Sequence, residues 1–201
     1  MTTIPSARRE RARATTRRAI QDAALRLFAE RGFDQVTVEE VAASADVSAR
    51  TVFRYFPTKE SLVLADLARR QAELLDIIDR LPAGDTLGGL LARAAVEWAA
   101  DNRDPRLLRN EASLIDATPA LRGRLQQMTV GWEDPIASRL AERSGRPPGD
   151  LEISQLAALF CASIRIVVRE WATNEVEADI LDFGRRALDA LMALPAGRLP
   201  A

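Results

Sequence analysis

Histidine is absent from this 201-residue chain, and cysteine, lysine and tyrosine occur once each, as Cys161, Lys59 and Tyr55. Without histidine the commonest general base and metal ligand is missing. One cysteine closes no internal disulfide and cannot build a thiolate metal site, which suits a reducing compartment. Its apolar surroundings predict a small core residue, with redox sensing as the alternative. A Gly-rich phosphate loop and a Gly-x-Ser-x-Gly elbow are lacking too. The expectation is therefore no enzyme, no metal and no cofactor. No apolar run approaches the roughly 20 residues of a membrane span. No apolar segment follows the N-terminal basic residues as it would in a secretory signal. These absences lead us to expect a soluble, cytoplasmic protein with no membrane partner.

Apolar residues make up 47% of the chain and charged residues 28%, ample for a core. The formal net charge of −1 announces no polyanionic partner, but its distribution does. Residues 1–60 hold 11 of the 28 Lys+Arg and only 8 of the 29 Asp+Glu. Arg8, Arg9, Arg11, Arg13, Arg17 and Arg18 stand against Glu10 alone. Residues 1–14 lack apolar periodicity and are expected to form a mobile arm, either solvated or lying along nucleic-acid phosphates.

Helical periodicity accounts for nearly everything else, and nothing reads as a strand. Thr15 or Thr16 caps a first helix to about Arg31, with Ile20, Ala24, Leu27 and Phe28 inward and Gly32 as its stop. Thr37 and Glu40 have capping-box spacing before Val38, Val41 and Ala42. Asp46-Val47 makes a turn, and Ser48 caps a second short helix. Val52 and Phe56 lie four apart and point inward, leaving Arg50, Thr51, Arg54 and Tyr55 for other faces. On pattern alone this pair is either a helix-turn-helix or two small core helices.

The run from Val47 to Leu62, with Gly32-Phe33, Thr37 to Ala42 and Ala45-Asp46-Val47 before it, closely resembles the signature of the TetR family of bacterial transcriptional regulators. The resemblance covers about the first quarter of the chain. It implies an all-α fold of about nine helices, with a DNA-binding domain over 1–57 and an effector-binding and dimerisation domain over 58–201. It also implies that Thr37, Tyr55 and Lys59 contact phosphate. Arg50 is the best candidate base reader, because its planar fork can grip guanine bidentately, with Ser48 and Thr51 as smaller partners. Phe53 stands where many relatives carry tyrosine, so packing or a thymine methyl replaces a hydroxyl contact there. The segment from Leu107 to Trp171 more weakly resembles C-terminal domains of the mycofactocin-regulator type.

Beyond Pro57, Thr58 caps a long expected helix to about Leu81, followed by a break at Leu81–Asp85. Helices from Thr86 to Ala100, to Ile115, from Thr118 to about Arg143, from Asp150 to Trp171 and from Asn174 to about Leu194 complete the expected order. Leu156 and Val167, with Ile180, Phe183, Gly184 and Leu188, outline two apolar faces. They serve as ordinary core or, by family resemblance, as a homodimer seam. Trp98, Met128, Trp132 and Phe160 offer apolar walls that are core in the plain reading and an effector pocket in the family. Arg165, set among Ile164, Ile166 and Val167, must snorkel, pair with a carboxylate or meet an anionic ligand. The function implied is a homodimeric repressor, released from a palindromic DNA operator by a small hydrophobic effector. The alternatives are a ligand-independent activator or architectural DNA-binding protein, and a helical enzyme.

Overall fold

The computed structural model describes residues 4–82, 86–100, 105–173 and 184–186. In chain order the helices are α1 (Ile4–Arg31), α2 (Val38–Ser44), α3 (Ala49–Tyr55), α4 (Ser61–Leu64), α5 (Leu67–Arg80), α6 (Leu87–Ala100), α7 (Pro105–Ala117), α8 (Pro119–Val130), α9 (Glu133–Ser144) and α10 (Leu151–Thr173). Among the described residues there is no strand, as expected. The chain forms two compact units, one of Met1–Asp66 with Leu114–Arg122, the other of Leu67–Ser113 with Gly123–Ala201.

In the first unit α1 packs on α2 and α4, and α2 on α3. Ile20, Ala24, Phe28, Val36, Val41, Val52, Phe56 and Leu62 are all buried, while Leu27 and Val38, also expected inward, are half-buried at the edge of the core. Full burial of a side chain such as Phe28 is worth about 1.5–3 kcal/mol relative to exposure. Gly32 ends α1 at φ +84, a left-handed conformation that glycine adopts without strain. Asp46 turns the chain between α2 and α3 at φ +53, which aspartate tolerates better than most residues.

Residues 4–14 are helical, which corrects the expected mobile arm: α1 is continuous from Ile4 to Arg31. Residues 8–15 are exposed, so packing does not hold this part. Alanine, arginine and glutamate, among the best helix formers, extend the helix from its buried half. The expected long helix to Leu81 is divided by a break at Ala65–Asp66. Arg17 of α1 reaches that break, donating to the Ala65 carbonyl and to Asp66 Oδ1, each at 3.4 Å.

The helix expected from Thr118 to Arg143 is likewise two, α8 and α9, interrupted at Gly131–Trp132. Pro135 has no N–H to offer the carbonyl four residues back, and glycine is a poor helix former. The freed Gly131 carbonyl accepts from Gln71 Nε2 at 3.4 Å. α9 ends at Gly145, φ +67, whose neighbour Arg146 donates back to the Ala141 carbonyl at 3.1 Å. Asp150 then caps α10, its Oδ1 accepting from Glu152 and Ile153 backbone N–H at 3.0 and 3.2 Å.

The second unit is built on α5, α6, α9 and α10 around Leu74, Ile78, Leu91, Trp98, Trp132, Ile136, Leu140 and Phe160. Arg143 of α9 donates to the Asp79 and Leu81 carbonyls at 2.8 and 2.6 Å, satisfying the C-terminal end of α5. By length and composition α10 could cross a membrane, which corrects the expectation that no run approaches that length. Its packing against α9 and α6, and Arg165 and Arg169 along it, fit a core helix of this unit. Cys161 lies inside it, 4% exposed, and burial pushes its thiol up to about 11. Cys161 should therefore resist a thiolate-specific alkylating agent at neutral pH and react only on unfolding. Stoichiometric labelling of the native protein within minutes would contradict that placement.

Candidate nucleic-acid interface and ligand cleft

The helix pair is locked from within its own sequence. The Thr37 hydroxyl accepts from Glu40 N–H at 3.3 Å, while Glu40 Oε2 accepts from Thr37 N–H at 2.8 Å. Arg31 adds an ion pair to Glu40 at 2.8 Å. The Thr37 backbone N–H, then Arg31, hold the Glu40 carboxyl below its ordinary value. This support is present above the ordinary carboxylate pKa and is lost as pH falls through the lowered one. At α3, Ser48 Oγ accepts from Thr51 N–H at 3.2 Å and lies 3.0 Å from Thr51 Oγ1.

With Val52 and Phe56 inward, α3 turns Arg50, Phe53 and Arg54 outward together, at positions 0, 3 and 4 of one helical face. Phe53 is 48% exposed, unusual for phenylalanine without a partner surface. Arg50 makes no hydrogen bond or ion pair with any described residue, so its five donors are free. Thr51 and Tyr55 flank this face half-buried, and the Arg54 guanidinium lies 5.2 Å from the Tyr55 ring centre. Arg54 was not among the sequence candidates, although its spacing of four from Arg50 was the available signal. Lys59 sits with its ammonium 4.4 Å from the Phe33 ring centre.

The second unit holds an open, largely apolar cleft whose enclosed part is about 50 Å³. Trp98 and Phe160 line it, as do Ala95, Leu108, Ile164 and Val168, with Arg70 and Ser163 as its polar groups. Trp132 does not line the cleft; it meets Trp98 edge-on, with ring centres 6.1 Å apart. Met128 is half-buried outside the lining, and Arg165 donates to Thr129 Oγ1 at 3.4 Å. The cation at the cleft is Arg70, stacked 4.1 Å from the Trp98 ring, whose indole N–H donates to the Arg70 carbonyl at 2.9 Å. Arg70 shares the helical stripe of Leu67, Leu74 and Ile77, the signal in the sequence that places it on this face.

Of the residues assigned to a dimer seam, Val167 and Gly184 border this cleft. A Cβ on Gly184 would stand 3.8 Å from Val167 Cγ1. Leu156 is half-buried on α10, while Ile180, Phe183 and Leu188 lie outside the described residues.

Residues 20–65 match the model of the bacterial regulatory proteins of the tetR family, and residues 85–195 match the MftR C-terminal domain. The chain belongs to the TetR family of transcriptional regulators. It is 30% identical over 199 residues to the HTH-type transcriptional regulator TcmR of Streptomyces glaucescens, covering 93% of this chain and 87% of that one. It is also 29% identical over 166 residues to MftR of Mycobacterium tuberculosis, a regulator assigned to mycofactocin biosynthesis, with 82% and 84% covered. FadR of Bacillus subtilis, solved with stearoyl-CoA, shares the fold at a TM-score of 0.59 and 21% identity, over 87% of this chain and 97% of that one. As a member of the TetR family the protein is a DNA-binding regulator and not an enzyme.

Proposed function

We propose that this protein is a cytoplasmic homodimeric repressor whose paired α3 helices occupy successive major grooves of a palindromic operator. The observation that carries the reading is the outward face of α3, where an unpartnered Arg50 stands beside Phe53 and Arg54 on a helix capped at Ser48. Arg50 reads a guanine edge; Ser48 and Thr51 touch neighbouring bases or phosphates, and Phe53 meets a thymine methyl. Thr37, Tyr55 and Lys59 contact the backbone and set the register. Residues 1–57 do the reading and 58–201 the sensing and pairing.

α10 leaves Leu159 and Ile166 53% and 51% exposed, seven residues apart on one face, with Leu156 about one turn before Leu159. Such a stripe suits a second copy of the chain across a two-fold axis, with Ile180, Phe183 and Leu188 beside it. The cleft suits a mostly hydrophobic effector, and FadR, of the same fold, was solved with an acyl-CoA. Trp98 and Phe160 are its walls, with Trp132 behind Trp98; Met128 and Arg165 lie outside the lining. This cleft favours a ligand-released repressor over an architectural protein. Release requires the effector to bind the DNA-free arrangement more tightly, since equal affinity shifts nothing.

Ala95→Phe should fill the cleft and abolish release of DNA by the effector, with effector-free DNA affinity within about twofold of the parent. Operator binding titrated with and without a releasing metabolite checks this. Unaltered release by the substituted protein would place the effector elsewhere.

A further inference from the structure

Lys59 is the chain's only lysine, and it lies in the turn that opens α4, at the N-terminal end of that short helix, where a cation gains nothing from the backbone dipoles. Nothing ionic compensates it: the Lys59 ammonium makes no hydrogen bond or ion pair with any described residue. What it has is aromatic. Its ammonium lies 4.4 Å from the Phe33 ring centre and 5.7 Å from that of Phe28. The two rings are themselves packed 5.0 Å apart at 55°, one at 6% and the other at 1% exposure. A ring face is the negative side of an aromatic quadrupole, so this pair is a fixed seat for a cation. The seat is braced on both sides. Gly32, at φ +84, returns the chain so that Phe33 meets Phe28. Thr58 and Ser61 exchange backbone-to-hydroxyl hydrogen bonds at 3.2 Å in each direction, fixing the backbone around Lys59.

We infer that Phe33, backed by Phe28, is a positioning residue for DNA binding, holding the Lys59 ammonium ready for a backbone phosphate. The inference rests on the reading of Lys59 as a phosphate contact. A free lysine must freeze four rotatable bonds when it meets a phosphate, and ordering such a side chain costs conformational entropy. The aromatic seat orders it in advance. It occupies one side of the ammonium and leaves donors on the other for phosphate oxygens, because no protein acceptor claims them. The contact is blind to sequence, since phosphates carry no base identity.

The test uses full-length protein and a duplex recovered by selection from a random pool, with affinity measured across a salt series. Lys59→Ala should lower the salt slope by about two, one phosphate contact being lost from each protomer, and weaken specific and non-specific duplexes alike. Phe33→Leu keeps apolar volume but removes the quadrupole; it should weaken both duplexes by up to about fivefold. Phe33→Tyr keeps the ring face and should restore parental affinity. Thermal unfolding of each variant separates this from loss of packing, because leucine and tyrosine both perturb a buried site while only leucine loses the seat. If Lys59→Ala changes neither affinity nor slope, the phosphate reading itself fails. If Lys59→Ala behaves as expected while folded Phe33→Leu binds like the parent, or Phe33→Tyr binds no better than Phe33→Leu, the aromatic seat has no part in positioning.

Discussion

Arg50→Ala is expected to erase the preference at one base pair of each half-site while leaving the rest of the recognised sequence intact. A bidentate Arg–guanine contact discriminates by about 1–3 kcal/mol against a wrong base, and a symmetric dimer makes it twice. Affinity for the specific duplex should therefore fall by one to several orders of magnitude, with non-specific affinity nearly unchanged. Folding should be untouched, since Arg50 is exposed and its guanidinium makes no hydrogen bond or ion pair with a described residue. Competition titrations against single-base variants of the operator measure this directly. A variant that keeps the parental ranking of those duplexes would remove Arg50 from the reading face and leave Arg54, its neighbour on that face, as the candidate.

Ile166→Asp should produce a folded monomer. In the protomer this side chain is 51% exposed, so the carboxylate stays solvated and the second unit keeps its core. Across a two-fold seam the same carboxylate is buried without a partner, and symmetry brings two of them in, at several kcal/mol each. Sedimentation or light scattering should report half the parental mass, with operator affinity lowered at least a hundredfold because each half-site must then be bound alone. Ile166→Leu should remain dimeric. A dimer of unchanged stability from Ile166→Asp would move the seam off this face of α10.

Local signals in the sequence carried the reading head well. Thr37 with Glu40, Ser48, Gly32 and Asp150 act within three or four residues of themselves, and each caps or stops a helix as its spacing predicts. Features that depend on distant partners were not legible. The break at Ala65–Asp66 contains neither glycine nor proline, and its carbonyl is satisfied by Arg17, 48 residues earlier. The α8–α9 break was legible in principle, because Gly131 and Pro135 stand four apart, yet the apolar pattern runs through it. The N-terminal extension of α1 shows the opposite failure: periodicity was absent, and helix propensity alone decided. The cleft is assembled from α5, α6, α7 and α10; Trp98 and Phe160 line it, whereas Arg165 lies outside the lining and Arg70, on a different helix, lies within it.

On the proposed reading, the outward face of α3 recognises a specific duplex as part of a symmetric dimer. Repeated selection of bound duplexes from a random pool, using the unmodified protein at near-physiological salt, tests it most directly. The expected result is one enriched inverted repeat, its half-sites related by a two-fold axis and spaced for successive major grooves on one side of the helix. Enrichment of no motif, or of a single unrepeated site at one protomer per duplex, would contradict it.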